Sequence, residues 1–197
     1  MDELQEPDDE PRMRAAHLVE NLDSLDVLGA RKRDLVLGEF GRERIDRVRG
    51  ASRLKWLPFE LDVEMTGLVH EVAGRDGLRT WAQVAIRKTL STPLLSGFVK
   101  AALRLVASPT SFVRMLPRAV GQVYRGLGTF AAETSGRGEP ALRLDGAAPL
   151  TLSSDSWQLG FADAVAIGFS SWDEQASHRV ELSDTSILWV LEVDRRS

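Results

Sequence analysis

Ile187-Leu188-Trp189-Val190-Leu191-Glu192-Val193 lies near the end of a 197-residue chain and has the composition of a β-strand. Strand-forming residues dominate it, and its nearly unbroken apolar character predicts burial on both faces. Outward from it, Val180 to Leu182, Leu150 to Leu152 and Ala141 to Leu144 are shorter runs of the same kind, and Phe161 to Phe169 reads as a short helix between strands. The turn-rich segment Ser135-Gly136-Arg137-Gly138-Glu139-Pro140 separates these runs from a long N-terminal part with helical periodicity. Helices first and strands later, without regular alternation, predict an α+β fold. The helical N-terminal two-thirds should pack on a small twisted antiparallel sheet formed mainly by the C-terminal third.

Within the helical part, Asp23 or Ser24 can cap a helix carrying Leu25, Leu28, Lys32 and Leu35, with Gly38 and Gly41 interrupting it. Gly41 to Arg49 alternates Arg42, Arg44, Arg47 and Arg49 with Glu43 and Asp46, which reads as a solvated amphipathic face anchored by Ile45 and Val48. Pro58 biases Leu57 toward extended geometry, so Trp56-Leu57-Pro58-Phe59 is a lead-in. Next comes a helix with Leu61, Met65, Leu68, Val69 and Val72 on its buried stripe, ending at Gly74. A second helix is expected over about 78–90 and a third over 94–107. A fourth opens at Ser108-Pro109, a capping hydroxyl followed by a proline at the first helical position. Pro117 should kink or split it, and Gly126 and Gly128 should end it.

Composition narrows the function classes. The chain carries 43% hydrophobic and 27% charged residues, so it can fold around a core. It has no cysteine, which excludes disulfides, thiolate catalysis and cysteine-ligated metals, and agrees with a cytoplasmic address. Residues 1–16 are acidic and poor in apolar side chains, and are expected to form a disordered tail ahead of a single domain over 17–197. No apolar run is long enough to span a membrane. The one asymmetry is the block from Gly77 to Ala132. It holds Arg79, Arg87, Lys88, Lys100, Arg104, Arg114, Arg118 and Arg125 but no acid, although the whole chain has a net charge of -4. Core helices whose long cations reach past the rim to water explain it most simply. A pocket for an anionic ligand, a peripheral membrane contact or an acidic partner would also use it. The net negative charge and core-facing aromatics argue against nucleic acid.

Catalytic signatures are missing. The chain has no Gly-x-Ser-x-Gly elbow and no Walker lysine, and Gly126-Leu127-Gly128 follows a helix and lacks a third glycine. Of His17, His70 and His178, none is spaced for metal binding, and alternate carboxylates at Glu60, Asp62 and Glu64 complement a helix dipole. The expectation is therefore a protein that is not an enzyme.

Trp56-Leu57-Pro58, the two helices after it, Ser108-Pro109, Leu116-Pro117-Arg118, Tyr124-Arg125-Gly126-Leu127-Gly128 and a strand-rich end closing on Trp189 together carry a resemblance over about residues 20–194. The pattern resembles an uncharacterised myxobacterial family. Through it, the chain is similar to the superfamily of four-vinyl-reductase-type domains, heme–nitric oxide-binding domains and transport-particle subunits. The resemblance implies helices on a twisted antiparallel sheet with an enclosed apolar cavity between them. The heme-binding branch uses Tyr-x-Ser-x-Arg for the propionates and a proximal histidine. Here Tyr124 is followed by Arg125-Gly126-Leu127, and no histidine lies in the central helices after His70, so no heme and no other cofactor is expected. The metal-ligand cysteines of some four-vinyl-reductase-type domains are also missing.

Together these readings predict a non-catalytic sensory or regulatory module. It would bind a small apolar or acyl-bearing ligand between helices and sheet. Phe98, Ala102, Leu105, Phe112, Leu116 and Val120 would line the cavity, and Arg104, Arg114 or Arg118 would meet an anionic head group. The alternative is a protein-interaction scaffold or homodimerising adaptor that uses the same basic-apolar helical surface.

Overall fold

The computed structural model describes residues 10–92, 108–166 and 177–192. The expected helix over 94–107, with Phe98, Ala102, Arg104 and Leu105, lies outside them. The described chain opens with β1 (Arg12–Arg14) and α1 (Ala15–Asp23), a 3₁₀ turn (Leu25–Leu28), α2 (Ala30–Phe40), α3 (Arg42–Gly50) and β2 (Trp56–Pro58). It continues through α4 (Glu60–Ser91), α5 (Pro109–Val123), β3 (Tyr124–Arg125), β4 (Thr129–Thr134) and β5 (Pro140–Asp145). The last elements are α6 (Pro149–Leu152), α7 (Asp155–Ala166), β6 (Ser177–Leu182) and β7 (Ser186–Glu192). This is the α+β arrangement expected: helices come first, and an antiparallel sheet in the order β4-β5-β7-β6 forms the C-terminal part. A smaller antiparallel sheet, β2-β1-β3, ties three distant parts of the chain together.

Local chemistry explains several boundaries. At Gly74 (φ 72°) α4 leaves helical geometry, so two helical segments meet at a bend where only glycine takes this conformation without strain. Before the bend Leu61, Met65 and Val69 are buried; after it Leu78, Trp81, Ala82 and Ala85 are. The Ser108 hydroxyl accepts from the Ser111 N–H, and Pro109 occupies the first position of α5. Pro117 sits inside α5 without dividing it. The helix buries Val113, Leu116, Val120 and Val123 on one face, and this packing outweighs the single lost ladder bond. In the main sheet Trp189 pairs with Leu142 and Val180, placing the indole on the inner face. There Trp189 meets Phe161 of α7, with centroids 4.7 Å apart. Asp163 of α7, almost fully buried, accepts both guanidinium nitrogens of Arg75 and clamps α7 to α4.

Several expectations are corrected. Structure begins before residue 17: Arg12–Arg14 form the central strand of the small sheet, and Met13 and Ala15 are fully buried. The partners of Met13, Leu57 and Tyr124, are far away in sequence, so local acidity gave no hint of this pairing. Helix α1 precedes the helix expected from Asp23, and α2 buries Val36 and Phe40 while Leu35 is 51% exposed. Leu150 to Leu152 form the helical turn α6 instead of a strand, because Pro149 takes its first position. The helix expected from Phe161 already starts at Asp155, and β4 was not anticipated. Gly126 and Gly128 do not end α5, which stops at Val123; they permit close backbone contacts. A Cβ on Gly126 (φ 69°) would stand 2.6 Å from the Glu10 carbonyl oxygen, and one on Gly128 (φ 127°) would stand 2.5 Å from that of Asp145.

Gly126→Ala should therefore lower the unfolding midpoint by about 4–8 °C, equivalent to about 2 kcal/mol for a chain of this size. Gly136→Ala, where nothing lies within 4 Å, should leave it nearly unchanged. Equal midpoints for the two variants in a thermal melt would disprove the close-contact account.

Candidate functional site

A cavity of about 110 Å³ lies where α1, α4, α5 and α7 converge. Its walls are mainly apolar: Phe112, Leu116, Ala119, Val120 and Val123 come from α5, Trp81, Ala82, Ala85 and Ile86 from α4, and Trp157, Phe161, Ala164 and Val165 from α7. At one end the apolar lining gives way to His17, Asn21, Asp62, Thr66 and Tyr124.

Asp62 is the centre of this polar end. It sits in the first turn of α4, and its side chain is buried. Its Oδ1 accepts from the Asn21 amide of α1 (2.7 Å), and its Oδ2 accepts from the Trp157 indole of α7 (2.9 Å) and the Tyr124 hydroxyl of β3 (3.3 Å). Burial pushes the Asp62 carboxyl up from 3.8 to about 6, against the lowering effect of its three donors. Desolvation thus wins by about 3 kcal/mol. Tyr124 is driven well above its ordinary value by burial and then by the Asp62 charge, so the phenol keeps its proton. His17 Nδ1 lies 2.7 Å from the Thr89 hydroxyl, and Nε2 lies 3.3 Å from the Tyr124 hydroxyl. Burial lowers His17 from 6.5 to about 4, so the ring is neutral at neutral pH. A chain of hydrogen bonds therefore runs from Thr89 through His17 and Tyr124 to Asp62. Rings surround it: Tyr124 meets Phe59 and Trp157 edge-on, with centroids 5.9 Å apart in both pairs.

Of the residues expected to form a site, Phe112, Leu116 and Val120 line this cavity. Arg114 and Arg118 are exposed and are not among its lining residues. The other cations of the acid-free block that are described do not reach the cavity either. Arg79 and Arg87 are exposed, and Lys88 donates to the Asp23 carbonyl oxygen at the end of α1 (2.6 Å). His70 bridges α4 to Ser156 of α7 (3.0 Å), and His178 lies 3.8 Å from Asp163. Among the described residues no group of histidines and carboxylates is placed to hold a metal ion, and no helix is long and apolar enough to cross a membrane.

The polar end was missed in the sequence although a signal existed. Asp62, Met65, Thr66 and Val69 follow i, i+3, i+4, i+7 spacing, which puts a lone carboxylate on the apolar face. His17 and Asn21 likewise share a face with Leu18 and Leu22.

The two shifted groups oppose each other in pH dependence. The raised Asp62 favours the folded state below its ordinary 3.8, and that stability is lost as pH rises through about 6. The lowered His17 favours the folded state above 6.5, and that stability is lost as pH falls through about 4. In wild type the two effects largely cancel between these limits. Urea unfolding should show His17→Gln gaining about 2–3 kcal/mol relative to wild type as pH falls across this window, and Asp62→Asn losing a similar amount. Parallel pH profiles for the two variants would refute the assignment.

No protein-family model and no curated protein sequence matches the chain. Solved structures of similar shape do exist. An H-NOX (heme–nitric oxide binding) protein from S. oneidensis, described in an Fe(II)NO ligation state, superposes with a TM-score of 0.60 at 12% identity, covering 93% of this chain and 100% of that one. An H-NOX variant from K. algicida, described as Fe(II) unliganded, gives a TM-score of 0.56 at 12% identity and covers 93% and 98% of the two chains. A structure addressing heme distortion in the H-NOX family gives 0.55 at 13%, with 93% and 96% covered. At these identities the likeness establishes the fold.

The described residues do not fit a heme. The cavity is smaller than the roughly 300–1,000 Å³ of ordinary cofactor and ligand clefts. Both nitrogens of its one histidine, His17, are engaged, and the Tyr124 phenol keeps its proton within the Asp62 network. No lysine or arginine is among the described lining residues to meet propionates. Residues 93–107 and 167–176 contain no histidine, cysteine, methionine or tyrosine that would serve as an axial ligand. This chain therefore shares the H-NOX fold, while the described lining of its cavity offers no donor set suited to heme.

Proposed function

We propose that this protein is a non-catalytic sensory or regulatory module that binds a small apolar ligand in the cavity between α4, α5 and α7. The observation that supports this reading is the cavity itself, apolar along its walls and bounded at one end by a hydrogen-bonded polar cluster. Binding sites for small molecules combine apolar walls with a few placed polar groups in this way. Apolar voids of about this size take up a molecule of about one aromatic ring. Phe112, Leu116 and Val120 supply the α5 wall of the site. The ligand would act by joining α5 to α4 and α7. The fold shared with H-NOX proteins, among them an Fe(II)NO-ligated one, supports the sensory part of the proposal.

Native mass spectrometry of the purified chain, followed by denaturing extraction, tests the reading. A co-purifying small mass, or a toluene-induced rise in thermal midpoint equivalent to about 2–3 kcal/mol near saturation, is the expected result. Ala119→Phe, which fills the cavity from α5, should abolish either signal while leaving circular dichroism unchanged. A wild-type chain with no bound mass and no response to toluene would overturn the proposal.

A further inference from the structure

The hydrogen-bonding capacity left at the polar end of the cavity is one-sided. Among the described residues the donors that line it are committed, apart from the second N–H of the Asn21 amide. The Trp81 indole donates to the Asn21 carbonyl oxygen (2.9 Å), and the Thr66 hydroxyl donates to the Asp62 carbonyl oxygen (2.7 Å). The Trp157 indole, the Tyr124 hydroxyl and the Asn21 amide all donate to the Asp62 carboxylate. His17 is a neutral ring held between Thr89 and Tyr124. What remains beside that N–H is acceptor capacity: a carboxylate offers about four lone-pair positions, and three of those on Asp62 are taken. The charge is one-sided as well. Asp62 is the one ionisable acid among the described lining residues, and no described arginine or lysine accompanies it.

An anionic head group placed here would meet, among the described residues, one N–H of Asn21 at most and would stand against a buried like charge in a site of low polarisability, where such repulsion is strong. A hydroxyl or ammonium group would instead complete the coordination of Asp62, with the Trp157, Tyr124 and Phe161 rings packed around the adjoining apolar body. We infer that this cavity selects an apolar molecule of about one aromatic ring carrying a hydrogen-bond donor, a hydroxyl or an amine, and rejects carboxylates. This inference rests on the ligand-binding reading above and differs from the expectation that Arg114 or Arg118 would meet an anionic head group, both of which are exposed and outside the cavity lining.

Four probes that share one ring and differ only in head group test it: toluene, benzyl alcohol, benzylamine and benzoate. They are titrated into the full chain at about pH 7.5, where the acid is ionised and the amine protonated. Calorimetry or thermal shift should show benzyl alcohol and benzylamine binding at least about ten-fold more tightly than benzoate, with toluene in between. Asp62→Asn should bring benzoate to within about three-fold of benzyl alcohol and leave toluene unchanged. The wild-type series decides the question even where Asp62→Asn fails to fold. If toluene binds and benzoate binds as tightly as the alcohol and the amine, the head-group inference is overturned and the ligand-binding module stands. If none of the four binds, toluene included, both readings fall.

Discussion

The buried carboxylate of Asp62 is the constraint on which the helical half of the protein depends. Its backbone begins α4, and its two oxygens collect donors from α1, β3 and α7. Those donors lie 41, 62 and 95 residues away along the chain. A charge taken out of water tolerates burial only when its lone pairs are occupied, so each element must arrive in register for the site to form. The position of Asp62 in the first turn of α4 adds the positive end of the helix dipole to that support. Even so, desolvation prevails and the carboxyl stays near 6. The cluster therefore holds the helices in one arrangement without stabilising the fold through charge, as is usual for buried ions.

The small sheet and the glycines after α5 set the position of that arrangement. Tyr124 occurs in the cluster because β3 pairs with β1, and β1 is held on its other side by β2 immediately before α4. Gly126 lets the chain pass against the backbone at Glu10, and Gly128 lets β4 leave beside Asp145. From there β4 enters the main sheet, whose inner face supplies Trp189 to the same ring cluster that includes Trp157 and Phe161. The indoles of Trp81, Trp157 and Trp189 each donate to a buried acceptor, so this aromatic core carries its polar atoms without loss. The cavity lies on the helical side of these rings, where α5 meets α4 and α7.

The described part of the acid-free central block agrees with the simplest reading of its composition, core helices with cations at the rim. Its described cations lie on the outside, as with Arg114 and Arg118, serve a helix end, as Lys88 does for α1, or stack on a ring, as the half-buried Arg125 does on Trp56. The absence of acid reflects an apolar helical interior and a solvated rim. The site's charge comes instead from an acid that sits before the block in sequence.

The α+β class was legible because the signals involved are local. Ser108-Pro109 caps a helix through atoms three residues apart, Gly74 breaks one through its own φ, and Ile187 to Glu192 form a strand through side-chain shape and alternation. Phe112, Leu116 and Val120 were likewise readable as one helical face. The same local logic failed at Leu150 to Leu152, where three apolar residues do not distinguish a strand from a helical turn, and at Arg12–Arg14, whose strand exists only through its partners. Asp62 looked like a carboxylate complementing a helix dipole, and His17 had no spacing to recommend it. Only the tertiary structure decided that they share a cavity with Asn21, Tyr124 and Trp157 and that the exposed arginines do not. Hydrogen bonds between residues tens of positions apart leave no period in the sequence, whereas caps, breaks and apolar faces do.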